Sequence, residues 1–245
     1  MRILGIIPAR YASSRFPGKA LVQIQGKTMI RRVYEQAIKS QLVDKVIVAT
    51  DDQRIFEEVS SFGGAVMMTS AAHRNGTERC AEVILEHPGY DYVINIQGDE
   101  PFIHPEHIDS VASLLDGDTE LATLVKKITD SAVLDDPSEM KVIFNQDQEA
   151  IYFSRTCIPY LRDVKPEDRL KKHTFYKHIG LYGYRRDILL EITQLPPGTL
   201  ETAEALEQLR WIENGYSIKI GLTTLESQMI DTPEDLAKLT QDMTL

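Results

Sequence analysis

Residues 3–19 read ILGIIPARYASSRFPGK. The opening ILGIIP, residues 3–8, is a continuous apolar run with little alternation. That is the pattern of a strand buried on both faces, as in a parallel sheet with helices on either side. The run stops at Pro8, and within the next eleven residues come Arg10, Arg15 and Lys19, with Ser13, Ser14 and Gly18 among them. In an open parallel sheet, ligands bind outside the carboxyl ends of the strands. Arg offers a planar fork of donors to phosphate oxygens and Lys a point charge, while Gly18 and the serines let backbone approach a ligand closely. The loop reads either as a phosphate cradle or as a solvated loop with scattered cations.

Outward from this stretch, strands and helices alternate. Residues 28–40 carry Met29, Val33, Ala37 and Ile30, Tyr34, Ile38 at four-residue spacing, which predicts an amphipathic helix. Strand 45–50, helix 52–62, strand 65–69, helix 77–86, strand 91–97, helix 105–115 and strand 120–127 follow. This order predicts an α/β fold with a doubly wound, mostly parallel sheet. The second half changes character. KVIF and AIYFSR flank a turn-like NQDQEA and predict a hairpin, residues 178–184 (HIGLYGY) alternate, and strand 216–222 and helix 233–243 complete the chain. The polar stretch 162–173 reads as a mobile loop. We divide the single domain into segments 1–128, 129–223 and 224–245, the middle one a smaller antiparallel lobe.

The 245 residues suffice for one large α/β domain without disulfide staples. A net charge of −10 and no basic stripe argue against broad nucleic-acid binding. Salt screens charge beyond about 8 Å, so a local cationic loop still attracts an anion. Cys80 and Cys157 have no metal spacing and suit a reducing compartment. No apolar run approaches 18 residues, and the opening Met-Arg leads straight into the strand. A cytoplasmic location and no membrane partner are the expectation.

Two fingerprints are missing. Gly26-Lys27-Thr28 resembles the tail of a Walker A loop, but Leu21 stands where that motif needs Gly. Gly26 reads as a turn and Thr28 as a helix cap. No G-x-G-x-x-G follows the first strand, which removes the main support for a dinucleotide-dependent oxidoreductase.

Three motifs offer carboxylates or turns at strand ends. INIQGDEP, 94–101, ends a buried strand in Gln97-Gly98-Asp99-Glu100-Pro101, well placed for Mg²⁺ but also compatible with an acidic turn. In IDTPEDL, 230–236, Thr232, Pro233 and Asp235 read as cap, first helical position and capping-box partner. Asp231 is left over, either a second metal carboxylate or a turn residue. In HRNGTER, 73–79, Asn75-Gly76 reads as a turn and Thr77 as a cap. Strand alternation puts His178, Gly180, Tyr182 and Tyr184 on one face. Glu204 and Gln208, four apart in LETAEALEQLR, read as one helical face.

Taken together, PARYASSRFPGK, HRNGTER, QGDEP, YFSR, KHIGLYGYR, LEQLR and DTPEDL resemble the 3-deoxy-manno-octulosonate (Kdo) cytidylyltransferases, in order from about residue 3 to about residue 242. The resemblance implies a nucleotide-diphospho-sugar transferase-like fold, a homodimer, and transfer of CMP from CTP to Kdo with Mg²⁺. Pyrophosphate leaves, and the product feeds lipopolysaccharide or capsule assembly. It makes segment 1–128 the nucleotide side, 129–223 the sugar-binding and dimerisation side, and 224–245 a return to the metal site. It puts Arg10, Ser13, Arg15 and Lys19 on the phosphates, and Asp99 and Asp231 on Mg²⁺. His73, Asn75 and Gly76 fall around the nucleoside, and Gln97 between nucleotide and sugar. Arg155, His178, Tyr182, Glu204 and Gln208 fall around the sugar acid, with Arg155 and His178 as cations or donors to its carboxylate. Asn75 replaces the family's usual Ser, and Met229 stands where Gly often precedes the metal aspartate. The rivals are another sugar-acid cytidylyltransferase, for 8-amino-Kdo or a sialic acid, and a non-catalytic nucleotide sensor.

Overall fold

A computed structural model describes residues 1–12, 16–226 and 228–242. Ser13 and Arg15 of the cationic loop therefore lie outside the described residues. The strands are β1 Ile3–Ala9, β2 Gln23–Ile24, β3 Lys27–Thr28, β4 Lys45–Thr50, β5 Val66–Met68, β6 Tyr92–Asn95, β7 Leu121–Lys127, β8 Lys141–Phe144, β9 Ala150–Ser154, β10 Tyr176–Arg185 and β11 Ile218–Thr223. The helices are α1 Met29–Ala37, α2 Gln53–Ser61, α3 Gly76–Leu85, α4 Pro105–Ala112, α5 Ser131–Asp135, α6 Arg169–Lys172, α7 Arg186–Ile192, α8 Thr199–Glu204, α9 Gln208–Glu213 and α10 Pro233–Asp242.

One large sheet runs in the order β11-β7-β10-β6-β1-β4-β5, with β8 on β10 and β9 on β8. β1 pairs in parallel with β4 and β6, β4 with β5, and β11 with β7. β10 is the reversed strand, antiparallel to both β6 and β7. The sheet is thus continuous across residue 128. The change of character read in the second half marks a switch of strand direction inside one sheet, and the expected hairpin β8–β9 extends that sheet.

The unalternating β1 has its reason in two apolar layers. Leu4 and Ile6 pack with Val83 and Ile84 of α3, Leu189 of α7 and Trp211 of α9. Ile3 and Ile7 pack with Ile30 and Val33 of α1, Ile55 of α2 and Ile108 of α4. Each such side chain contributes about 1.5–3 kcal/mol on burial, so both faces of the strand hold the fold.

Local signals hold at several ends. Gly26 takes φ 76° in the β2–β3 turn, and Thr28 caps α1 by accepting the Arg31 N–H at 3.4 Å. Three expectations need correction. Asn75, not Thr77, caps α3, because its Oδ1 accepts the Glu78 N–H at 2.9 Å while Thr77 is buried inside the first turn. Glu204 and Gln208 share no helical face, because Ala205 takes a left-handed backbone (φ 51°) that ends α8 before α9 begins. The stretch 162–173 is not a bare loop. It forms a 3-10 turn at Pro166–Asp168 and then α6, with Arg169 gripping the Asp135 carboxylate at 2.5 and 3.0 Å.

Candidate active site

The carboxyl ends of β1 and β6 open onto a cavity of about 310 Å³. Arg10, Lys19, His73, Asn75, Gly76, Gln97, Asp99 and Asp231 all line it, joined by Arg74 and Arg79. Eight of the residues singled out in the sequence therefore meet at one place, where the topology puts ligands in an open α/β sheet.

The cationic loop is closed on itself. The Gly18 N–H donates to the Tyr11 carbonyl at 2.9 Å, and Gly18 adopts φ 72°. A Cβ there would meet the Tyr11 ring at 3.0 Å, so glycine meets both a backbone and a packing requirement. Lys19 follows at the start of a 3-10 turn. Its Nζ lies 2.5 Å from Asp99 Oδ2 and 2.9 Å from Asp231 Oδ1, residues 80 and 212 positions away in the chain. Burial works against the ammonium charge, but the two carboxylates outweigh it and raise the Lys19 pKa above its ordinary value.

Asp99 sits just past β6 because Gly98 fits under the end of β1. A Cβ on Gly98 would stand 2.8 Å from the Pro8 carbonyl oxygen. Asp231 arrives from the other end of the chain on a segment held three ways. Ile230 is fully buried with Ile24 and Met29, and its N–H donates to the Asp99 carbonyl at 2.9 Å. Asp235 completes the capping box: its Oδ2 accepts the Thr232 N–H at 2.9 Å, and its own N–H donates to Thr232 Oγ1 at 3.2 Å. The same Oδ2 accepts the Asp231 N–H at 3.1 Å.

The pair fits a divalent cation. Two carboxylates converge on one cationic point, and Asp99 Oδ1 is buried with no hydrogen-bond partner among the described residues. No group of three or more His, Cys, Asp or Glu ligands gathers among the described residues. An ion held here would complete its shell with water and phosphate oxygens, which is what Mg²⁺ favours.

The opposite wall is the N-terminus of α3, whose orphan N–H groups and dipole favour an anion. Two residues that the sequence reading left unassigned shape this wall. Arg79 is buried and holds Thr69, the Ser70 carbonyl (3.3 Å) and Asp51 (3.4 Å). Glu207 accepts from Asn75 Nδ2 at 3.0 Å and Thr77 Oγ1 at 2.9 Å. The residue is only partly buried, but enclosure of its carboxyl end pushes the pKa up to about 7. The signal was available: Arg79 closes HRNGTER and Glu207 stands inside LEQLR.

The five residues expected around the sugar acid do not line this cavity. Two of them, His178 and Tyr182, are on β10, which Gln97 joins from the cavity by donating its Nε2 to the Gly180 carbonyl at 3.0 Å. The Arg155 guanidinium is spent on backbone carbonyls, of Glu204 (2.7 Å), Pro137 (2.9 Å) and Ala205 (3.2 Å). The Glu204 carboxylate takes the Ser154 hydroxyl at 2.7 Å and the Arg155 N–H at 3.0 Å. Gln208 is buried at the start of α9. His178 and Tyr182 do share a face, with rings 5.1 Å apart.

His178 is not a cation here, because burial alone pushes its pKa down to about 3. Thr123 Oγ1 donates to the Leu181 carbonyl at 2.7 Å, so it accepts from His178 Nε2 at 2.9 Å. That network assigns the proton to Nε2 and leaves Nδ1 an acceptor, buried and unpartnered among the described residues. Of the two expectations for His178, cation or donor, the neutral ring removes the first, and its one N–H is already given to Thr123.

The cytidylyltransferase family matches residues 4–220 of the chain. A 3-deoxy-manno-octulosonate cytidylyltransferase of Cytophaga hutchinsonii is 56% identical over 97% of this chain and 96% of its own. One from Parabacteroides distasonis is 55% identical over the same shares. The chain belongs to the 3-deoxy-manno-octulosonate cytidylyltransferases. Like this cytidylyltransferase in fold is a solved structure of CMP:2-keto-3-deoxy-manno-octonic acid synthetase complexed with CTP. It superposes with a TM-score of 0.92 at 41% identity, over 100% of this chain and 99% of its own. A 4-diphosphocytidyl-2C-methyl-D-erythritol synthase of Anaerococcus prevotii shares the fold alone, with a TM-score of 0.65 at 13% identity. No helix of the described residues is long and apolar enough to cross a membrane.

Proposed function

We propose that this protein transfers CMP from CTP to the anomeric hydroxyl of Kdo, releasing pyrophosphate. The observation that carries the reading is the meeting of Lys19, Asp99 and Asp231 at one point of a cavity that also holds Arg10 and the α3 N-terminus. The cationic loop answers to a nucleotide tail of about four negative charges. The hydroxyl oxygen forms a bond to the α-phosphorus as the bond to the pyrophosphate oxygen breaks, and the hydroxyl proton leaves to solvent or a basic oxygen. Positioning and charge stabilisation carry most such catalysis.

Arg10 and Lys19 bind and orient the phosphates, and Asn75 and Gly76 present the α3 N-terminus to the nucleotide. Asp99 and Asp231 would hold Mg²⁺, which neutralises phosphate charge and lowers the pKa of a nearby hydroxyl when bound. Gln97 stands between the nucleotide cavity and β10. Beyond it, the Nδ1 acceptor of His178 and the hydroxyl of Tyr182 face inward without partners among the described residues, and with Arg155, Glu204 and Gln208 they form the sugar side. A homodimer working in the cytoplasm, where CTP is made, completes the reading. Light scattering tests the dimer.

The deciding experiment follows pyrophosphate release from CTP and Mg²⁺ with Kdo, 8-amino-Kdo and a sialic acid. Release with Kdo at the highest kcat/KM supports the proposal. CTP binding without release on any sugar acid overturns it in favour of a sensor.

A further inference from the structure

Lys19 does more in this cavity than a phosphate ligand needs to. Its side chain is 17% exposed, and its ammonium occupies the meeting point of Asp99 Oδ2 and Asp231 Oδ1. Under the function proposed above, on which this inference rests, those carboxylates also hold the divalent ion. The two cations cannot share the position. An ion within bonding distance of these oxygens, about 2.0–2.1 Å for Mg²⁺, would lie against the ammonium, and like charges that close in a poorly solvated site repel strongly.

We propose that Lys19 is an internal competitor of the divalent ion: its ammonium holds the Asp99–Asp231 pair until the nucleotide phosphates draw it away, so that ion and nucleotide enter together. Three observations support the exchange. The backbone of Lys19 is fixed by the Gly18–Tyr11 bond and the 3-10 turn, so the move is confined to a flexible four-carbon side chain. The cavity that Lys19 lines is also lined by Arg10 and the α3 N-terminus, so a polyphosphate there offers the ammonium a new anionic partner within the same space. Asp99 Oδ1 stays buried and unpartnered among the described residues, so the ammonium satisfies this carboxylate only in part. The consequence is a thermodynamic coupling. CTP strengthens metal binding, and the metal strengthens CTP binding by the same factor.

The test uses Mn²⁺ as the probe, its free concentration read by electron paramagnetic resonance, on the full-length protein with and without CTP and with no sugar acid. Lys19→Met is expected to bind Mn²⁺ without nucleotide about tenfold more tightly than the native protein, within the usual range of coupling between sites. Arg10 lines the same cavity and has no ion pair to either aspartate among the described residues, so Arg10→Met is expected to change Mn²⁺ affinity by less than about threefold. The tightening caused by CTP is expected to shrink in Lys19→Met. Equal or weaker Mn²⁺ binding in a folded Lys19→Met overturns the exchange, as does an equal gain in Arg10→Met, which would signal diffuse charge only. Should Lys19→Met fail to fold, Lys19→Gln carries the same comparison. Asp99→Asn separates the two readings. Mn²⁺ binding that persists there overturns the metal assignment itself. Binding lost there but not strengthened in Lys19→Met overturns only the exchange.

Discussion

The two sides of Gln97 handle polar groups in opposite ways. On the nucleotide side, ionised groups sit at a cavity wall and are matched by charge: Lys19 against two aspartates, Arg79 against Asp51. On the side proposed for the sugar, groups are buried and kept neutral or, as with the half-buried Arg155, spent on backbone. His178 is neutral, the Tyr182 hydroxyl is pushed well above its ordinary value by burial, and Arg155 is tied to three carbonyls. Under the proposed function, the difference suits the first side to the exchange of one ion for another and the second to the reading of hydroxyls by shape and hydrogen bond.

The largest effect should come from breaking the charged side. Asp99→Asn is expected to lower kcat for pyrophosphate release by about 10³-fold or more while far-UV circular dichroism stays native, because it removes a carboxylate from a strand end and no core atom. Near-native turnover would remove the charge-based half of the contrast. Next in size is Gly98→Ala. Its Cβ would press on the Pro8 carbonyl and spread β1 from the Asp99 turn. We expect a loss of about 1–3 kcal/mol in urea unfolding, with a weaker CTP response, and an unchanged midpoint would show that the fit is loose.

Titration sharpens the contrast further. The Glu207 carboxyl is raised to about 7 from 4.5, so the folded state holds its proton more tightly than the unfolded chain does. Its contribution to stability is present below about pH 4.5 and is lost as pH rises through 7. His178 is lowered to about 3 from 6.5, so its contribution is present above 6.5 and is lost as pH falls toward 3. Glu207→Gln is expected to reduce the fall in Tm between pH 5 and pH 8. An identical pH profile in variant and native protein would refute the Glu207 assignment. The smallest effect is expected from Tyr182→Phe. It deletes a buried hydroxyl with no partner among the described residues, so stability should stay within about 1 kcal/mol or rise. A rise in KM for the sugar acid with KM for CTP unchanged would place that hydroxyl on the sugar, whereas equal shifts in both would deny the division at Gln97.

Much of the fold was legible because local rules carried it. The unalternating run at β1, the four-residue spacing in α1 and the Thr232–Asp235 capping box each follow from burial or backbone valence within a few residues. The site was half legible. Lys19, Asp99 and Asp231 stand out as chemistry at strand and helix ends, yet Glu207 is hidden in a helix-like string. There a break at Ala205, invisible to periodicity, re-aims the side chains on either side. His178 shows the same limit from the other direction: its residue type suggests a cation, and only its enclosure makes it an acceptor.

By itself, the order of residues in this chain determined a doubly wound α/β framework, several of its helix caps and turns, and a set of basic and acidic residues at strand and helix ends. Tertiary structure alone decided that Lys19 stands between Asp99 and Asp231, and that β10 runs reversed between β6 and β7. It also decided which ionisable groups keep their charge. The reason is physical. Local preferences act over a few bonds, whereas burial and the approach of partners 80 and 212 residues away exist only once the sheet has closed around them.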